Sequence, residues 1–428
     1  MSVPFLYRAW VVASMGLVPF FARSQTAKLR AQGVPVRRAH EKLGHATQDR
    51  QGSGPLIWLH AASVGESLSV LALITRMGMI LPRAQFLITS GTATSAALVA
   101  QRMPPRTQHQ FAPLDAPGPL KRFLRHWQPD AAIFVESELW PQMLRRTHAT
   151  GAKMALVNAR LSDKSVETWR KHPKMARYLF GVFDLILTQN DAMAHKMVSM
   201  HAPSDRVAGG INLKSMAGPL PVDEDALFDA RAALGHRPVW AASSTHDGEE
   251  NAIFQAHKAL LKEIPDLCLI LAPRHPERGD AVEALVTAAG LTCTRRSRGD
   301  APGGQVYLAD TLGELGLWYA MSDIVFLGGS LLPIGGHNPF EVAQAGAAVL
   351  SGTHVSAFAE TYAQLETEGA AQFVEDGDDL TATLSKLLSN PEDLAKMTDA
   401  AKRFVAAQDD QLDGIAARLV SVLGLDAG

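Results

Sequence analysis

The sequence predicts an α/β protein made of two domains, each with a parallel sheet, and a cleft between them, preceded by a membrane-associated helix. Three observations predict it. From Pro55 onward, short β-branched or apolar runs alternate with helix-length amphipathic stretches, the pattern of βα units and of a parallel sheet covered on both faces. The alternation comes in two series, separated by the Pro-rich stretch GPLPVDEDA at residues 218–226. An apolar segment, FLYRAWVVASMGLVPFFA at residues 5–22, opens the chain. A length of 428 residues suits two domains of roughly 100–200 residues each, and 47% hydrophobic with 20% charged residues provides for substantial cores. The expected division is a membrane-proximal segment 1–50, a first domain 51–217, a linker 218–232, a second domain 233–408 and a closing helix 409–428 that packs back on the first domain.

The opening segment is apolar except for Arg8 and a few small polar groups, with Pro19 near its end. It is short against the approximately 20 apolar residues that cross a bilayer. Between Met1 and Arg50 there are eight basic residues (Arg8, Arg23, Lys28, Arg30, Arg37, Arg38, Lys42, Arg50) against Glu41 and Asp49. Most of them follow the apolar run, the reverse of the order in a signal peptide. The expectation is an anchor lying in or dipping into the membrane, its basic stretch facing anionic lipid on the cytoplasmic side. The alternative is a buried first helix of the first domain. The net charge of −2 argues against nucleic acid as a partner. Two cysteines, Cys268 and Cys293, leave no disulfide framework and no CxxC pair.

In the first series the strand candidates are PLIWLHAAS, QFLITS, AAIFVE, KMALVNAR and FDLILTQN. Ligands of open parallel sheets sit outside the carboxyl ends of strands, so the residues that follow these runs carry the functional weight. IWLHAAS ends at Ser63, Gly65 allows a close backbone approach, and Glu66 opens the next helix. A carboxylate there satisfies first-turn N–H groups and the macrodipole, or serves as a general base facing the cleft. FVESELWPQM places Glu136 and Glu138 after another strand, with Glu138 and Pro141 also readable as a helix start. VNARLSDKS places Asn158 and Arg160 after a third, and GGINLKS sets Lys214 beside the linker.

The second series runs PVWAASS, LCLILAPRH, QVYLAD, IVFLGGS and AAVLSG. AASSTHDGEE offers Ser243, Ser244, Thr245 and His246 ahead of Glu249 and Glu250, most of which helix capping explains. LAPRHPER sets Arg274 and His275 at a strand end, where a guanidinium suits phosphate. FLGGSLLPIGGHNPFEVAQAG carries Gly328 and Gly329, then Gly335 and Gly336, then His337, Asn338 and Pro339 at a helix start. Glycines let a phosphate reach backbone N–H groups and a helix N-terminus favours its charge. Glu341, in the first turn, is placed to accept from ribose hydroxyls. The spacing fits neither a P-loop nor a GxGxxG dehydrogenase. The fifteen histidines show no HExxH pattern, so no metal is expected. A nucleotide mono- or diphosphate ligand in the second half is the reading these residues support.

The segments WLHAASVGE, ESELWP, NARLSDKS, ASSTHDGEE, LAPRHPER and GGSLLPIGGHNPFE, in this order, closely resemble the 3-deoxy-D-manno-octulosonic acid (Kdo) transferases of lipopolysaccharide synthesis. The resemblance covers nearly the whole chain, including the AHEKLG segment before the first strand. It implies the GT-B architecture of two Rossmann-like domains, a first domain that binds the acceptor, and a second that binds the donor CMP-Kdo. It further implies lipid IVA as acceptor at the cytoplasmic face of the inner membrane, and no metal or cofactor. Glu66 matches the family's base, while Glu138, Lys214 and Arg274 match other charged active-site positions. His337, Asn338 and Glu341 match its HNPxE-type donor site. Ser63, Gly65, Arg160, Ser244, His275, Gly335 and Gly336 complete the expected donor and substrate contacts. The chain departs from the family's pattern at ESELWPQ, where relatives often carry Thr before the second Glu and Asn after Pro, and at NLKSM, where an aromatic and Asp often follow Lys. The implied reaction is inverting: Glu66 takes the acceptor proton, while Arg274 and the N–H groups after Gly335 and Gly336 stabilise the departing phosphate. The rival readings are another GT-B nucleotide-sugar transferase and a nucleotide-sugar binding protein without chemistry.

Overall fold

A computed structural model describes residues 2–210, 213 and 219–425. The chain forms two compact units, one of residues 1–218 with 410–428 and the other of residues 219–409. Each is built on a seven-stranded sheet whose paired strands are all parallel. A parallel sheet needs crossover connections, and here the connections that carry helices cover both faces.

In the first unit the strands are β1 (Leu56–His60), β2 (Gln85–Ser90), β3 (Thr107–Phe111), β4 (Ala131–Val135), β5 (Lys153–Ala159), β6 (Leu185–Thr188) and β7 (Val207–Gly209), in the order β3-β2-β1-β4-β5-β6-β7. β1 is LIWLH, buried at every residue, so it reads as a continuous apolar run rather than an alternation. Its odd and even side chains supply two cores. Ile57 and Leu59 join Val70, Ile74 and Met77 on one face, and Leu56 and Trp58 join Phe123, Trp127 and Phe134 on the other. Trp58 packs with ring centroids 4.7 Å from Phe123 and 5.4 Å from Phe134.

In the second unit β8 (Val239–Thr245), β9 (Cys268–Pro273), β10 (Cys293–Arg295), β11 (Val306–Leu308), β12 (Ile324–Leu327), β13 (Ala348–Ser351) and β14 (Ala371–Phe373) take the order β10-β11-β9-β8-β12-β13-β14. The stretch expected as a linker carries a helix, Glu224–Leu234, N-capped by Asp223 and buried through Leu227, Ala230 and Leu234. Helix Pro391–Val422 gives Ala400, Ala401 and Phe404 to the core of the second unit and Leu412, Ala416 and Leu419 to that of the first.

The strand candidates of the two series leave out β3, β7, β10 and β14, and these are the four outer strands of the two sheets. β7, β10 and β14 have three residues each, too few for a hydrophobic pattern. β3 is TQHQF, polar yet buried at four of its five positions. Its partners come from the segment before β1. Gln108 donates to Gln48 and Asp49, Arg38 reaches His109, and the Glu41 carboxylate accepts the Phe111 N–H at 2.7 Å. A sheet edge is thereby closed by a loop. This revises the expectation that the basic stretch faces lipid. Arg38, Lys42 and Arg50 turn into the unit, Arg50 onto the carbonyls of Trp127, Gln128 and Gly54. Arg8, Arg23, Lys28, Arg30 and Arg37 remain exposed.

The opening helix runs from Phe5 to Ala31, longer than the apolar segment itself, with Pro19 inside it. It is long and apolar enough to cross a membrane, with a mean hydropathy of 1.5 over a window only 6% buried. Trp10 Nε1 donates to Asp115 Oδ2 at 2.6 Å, and Gln142 Nε2 donates to Ser14 Oγ at 2.6 Å, which tie its first half to the unit.

Candidate active site

In a doubly wound sheet the binding crevice opens where strand order reverses, outside the carboxyl ends of the two strands that flank that point. Those strands are β1 and β4 in the first unit and β8 and β12 in the second. The residues after β1 and β4 include Ser63, Gly65, Glu66, Glu136 and Glu138; those after β8 and β12 include His246, Glu249 and the glycine-rich loop.

Ser63 is the N-cap of helix Val64–Ile80, and its hydroxyl accepts the Glu66 N–H at 3.3 Å. Glu66 reaches back: Oε1 accepts the Ser63 hydroxyl at 2.8 Å and Oε2 accepts the Ala62 N–H at 2.9 Å. The sequence S-V-G-E is thus a variant of the capping box. Gly65 is the second residue of that helix and is exposed. A carboxylate offers about four lone-pair directions, so the two cap bonds leave Glu66 able to accept another proton. Glu66 is buried. Burial pushes its carboxyl above the ordinary value, the Ser63 and Ala62 bonds pull it down, and the charges of Glu138 and Glu136 push it up again, for a net rise.

Glu138 Oε2 is held by His60 Nε2 at 3.0 Å and by Trp140 Nε1 at 2.6 Å. Burial pushes this carboxyl up, but the His60 and Trp140 bonds and the Lys42 charge outweigh it and hold it below the usual value. Lys42 is buried, which depresses its ammonium to about 8 against the attraction of Glu138 and Glu41. Glu136 has a φ of 54° and Asn158 one of 53°, backbone strain of the kind found at functional sites. Asn158 Nδ2 donates to Glu136 Oε1 at 3.3 Å, and Asn158 Oδ1 accepts the Leu213 N–H at 3.3 Å. Arg160 is exposed just beyond β5. Lys214 lies outside the described residues.

In the second unit Ser244 also adopts a left-handed backbone, φ 55°, where the pairing of β8 with β9 shifts register. The shift leads into His246, whose Nε2 lies 2.9 Å from His337 Nε2, the two rings parallel within 7°. One nitrogen must donate and the other accept, so the pair holds a single proton between its rings. Burial, together with the positive surroundings of His246 and Arg274, depresses His337 to about 4. His275 stacks edge-on against His246 with centroids 5.7 Å apart. The Arg274 side chain is exposed, and among the described residues no carboxylate pairs with it.

The two glycine pairs differ. Glu249, buried in its helix turn, accepts the N–H groups of His246 and Gly329 on Oε2 and those of Ser330 and Leu331 on Oε1, at 2.7 to 3.0 Å. The nest at the first pair is filled by the protein's own carboxylate. That corrects the expectation of a phosphate there and makes Glu249 more than a helix cap. Gly335 and Gly336 have φ of 115° and 77° and bring the chain against Ser356 and Val355. Asn338 caps the following helix by accepting the Phe340 N–H at 3.2 Å. That helix, Pro339–Gln344, has six residues, so its dipole is small. Glu341 stands near Tyr319, whose hydroxyl is 2.9 Å from Ser243 Oγ. Among the described residues, no three His, Cys, Asp or Glu side chains gather as a metal-ligand set.

A profile of the family described as 3-deoxy-D-manno-octulosonic-acid transferase (kdotransferase) matches residues 37–217. The 3-deoxy-D-manno-octulosonic acid transferase of Rickettsia bellii is 32% identical over 412 residues, 95% of this chain and 97% of that one. The chain belongs to the 3-deoxy-D-manno-octulosonic acid transferase family. The Haemophilus influenzae Kdo transferase is 32% identical over 351 residues, 80% of this chain and 82% of the relative. A glycosyltransferase of Rickettsia africae of known structure shares the fold, with a TM-score of 0.57, 12% identity, and coverage of 87% of this chain and 99% of that one. The protein is therefore a Kdo transferase with the GT-B fold. Within its first unit, sequence reasoning missed His60 and Lys42 beside Glu138. The one signal for His60 was an imidazole closing an otherwise apolar strand.

Proposed function

We propose that this Kdo transferase moves Kdo from CMP-Kdo to lipid IVA with inversion, Glu66 acting as general base. The observation that carries the reading is the buried, fully oriented Glu66 carboxylate, its pKa raised, at the carboxyl end of β1. A raised carboxyl is a stronger base than an ordinary one. The acceptor hydroxyl oxygen bonds to the anomeric carbon as the bond from that carbon to the CMP phosphate oxygen breaks. The hydroxyl proton passes to Glu66 and the electron pair leaves with the phosphate. Glu138 and Lys214 serve as charged groups around the acceptor and sugar.

On the donor side, Arg274 supplies a guanidinium that pairs with no carboxylate among the described residues, and the Gly335–Gly336 turn offers the backbone approach that Glu249 has closed at the first pair. His275, His337, Asn338, Ser244 and Glu341 orient the nucleotide and sugar. A fixed cation and backbone dipoles then take the role that a metal plays elsewhere, with several kcal/mol of barrier at stake. The exposed apolar helix Phe5–Ala31 and the basic residues that stay on the surface support attachment to anionic lipid at the cytoplasmic face of the inner membrane. The test is a mass-resolved transfer assay with purified protein, CMP-Kdo, lipid IVA and a chelator. Mass gains in Kdo-sized steps support donor, acceptor and metal independence together; no gain, with CMP still bound, rejects this acceptor.

A further inference from the structure

We propose that His60 is a positioning residue of the transfer reaction: Trp58 and Thr89 hold its ring in the tautomer whose Nε2–H donates to Glu138. This inference rests on the reading that Glu138 works in the active site.

The sheet sets up the arrangement. Trp58 and His60 are two apart on β1 and so share one face of the sheet, and His60 stands directly opposite Thr89 in the register of β1 with β2. All three are buried. Trp58 Nε1 donates to Thr89 Oγ1 at 2.8 Å, and His60 Nδ1 lies 2.9 Å from the same oxygen. An indole N–H can only donate, and a hydroxyl has one proton to give. With Trp58 on one lone pair, the Thr89 proton is available for His60 Nδ1. In the neutral ring Nδ1 then accepts, and the proton sits on Nε2, 3.0 Å from Glu138 Oε2. The opposite tautomer would set the bare Nε2 lone pair against that carboxylate oxygen. Trp140 donates to the same Oε2 at 2.6 Å, so among the described residues both hydrogen bonds to Glu138 fall on one oxygen. Phe134, the partner of His60 on β4, closes the other side of the ring edge-on at 5.7 Å. The relay thus fixes one carboxylate oxygen from the interior of the sheet, and its effect on chemistry is indirect.

Two amide substitutions separate this role from packing. In His60→Gln the amide reaches the place of Nε2 and keeps a donor for Glu138. In His60→Asn it reaches only the place of Nδ1, next to Thr89. Kinetics with CMP-Kdo and the lipid acceptor are measured for both beside wild type and Glu138→Gln. The expected result is kcat lowered about tenfold or more in His60→Asn, a loss of a little over 1 kcal/mol of orientation, and near wild type in His60→Gln. KM for CMP-Kdo stays unchanged in both. Equal rates for the two variants, high or low, overturn the role of His60 while a slow Glu138→Gln keeps Glu138 in the site. A Glu138→Gln enzyme as fast as wild type overturns both readings. Nitrogen-15 NMR of the ring in the folded wild-type protein, assigned by the signal missing from His60→Asn, gives an independent check. A proton on Nε2 and none on Nδ1 is expected; the reverse overturns the proposal.

Discussion

Glu249 and Gly329 are joined by a 2.7 Å hydrogen bond from the glycine N–H to the carboxylate, across 80 residues of sequence. The same carboxylate accepts three further backbone N–H groups, from His246, Ser330 and Leu331. Removing it in Glu249→Ala leaves four backbone donors without this partner; two of them, on Gly329 and Ser330, are buried, at about 1–3 kcal/mol each when they stay unpaired. We expect about 3 kcal/mol of destabilisation in total and a melting temperature lower by roughly 10 °C for a unit of this size. Calorimetry of the variant checks this, and an unchanged transition contradicts it.

The acid limb of kcat/KM carries the sign of each neighbour of Glu66. Its carboxyl lies above the ordinary 4.5, so activity falls at a higher pH than an ordinary glutamate would give. Glu138→Gln removes a negative charge that opposes ionisation, and the limb moves to lower pH. Ser63→Ala removes a donor that favours the ionised form, and the limb moves to higher pH. Profiles of the two variants that shift in the same direction contradict the assignment.

Arg274→Ala is expected to weaken CMP binding by roughly 30-fold, the value of one charge-assisted contact of about 2 kcal/mol. Arg274→Lys keeps the charge but not the fork and falls between. Titration calorimetry at two salt concentrations tests this, since loss of a cation also flattens the salt dependence.

His257 gives a stability prediction. Its Nδ1 accepts the Trp240 indole N–H at 3.2 Å and its Nε2 lies 2.9 Å from the Gln305 carbonyl. Burial depresses it from 6.5 to about 4. The unfolded chain takes up this proton first, so the contribution is full above pH 6.5, declines as pH falls toward 4 and levels below it. The span amounts to about 3 kcal/mol. His257→Gln should flatten the fall of melting temperature between pH 6.5 and 4.5; an identical slope contradicts the assignment.

The fold class was legible because the central strands of each sheet, β1 and β8 among them, are buried along nearly their whole length and show as largely apolar runs. The outer strands were hidden for a physical reason. Gln108 and His109 of β3 find partners among residues 38–49 and Gln110 finds one in Trp127, and nothing local in TQHQF says so. The same limit applies at the site. Ser63 and Glu66 interact three residues apart, and S-V-G-E shows that spacing openly. Glu249 looked like an ordinary first-turn acid, because the amides it holds, Gly329 to Leu331, lie about 80 positions on. His60 gained meaning only when the β1–β2 register set Thr89 opposite it.

The most direct test of the account is single-turnover transfer from CMP-Kdo by wild type and Glu66→Gln, with CMP affinity measured in parallel. Loss of the base should lower the rate by about 100-fold or more while CMP affinity stays at the wild-type value. Transfer by Glu66→Gln at the wild-type rate would contradict the account and reduce Glu66 to the cap of its helix.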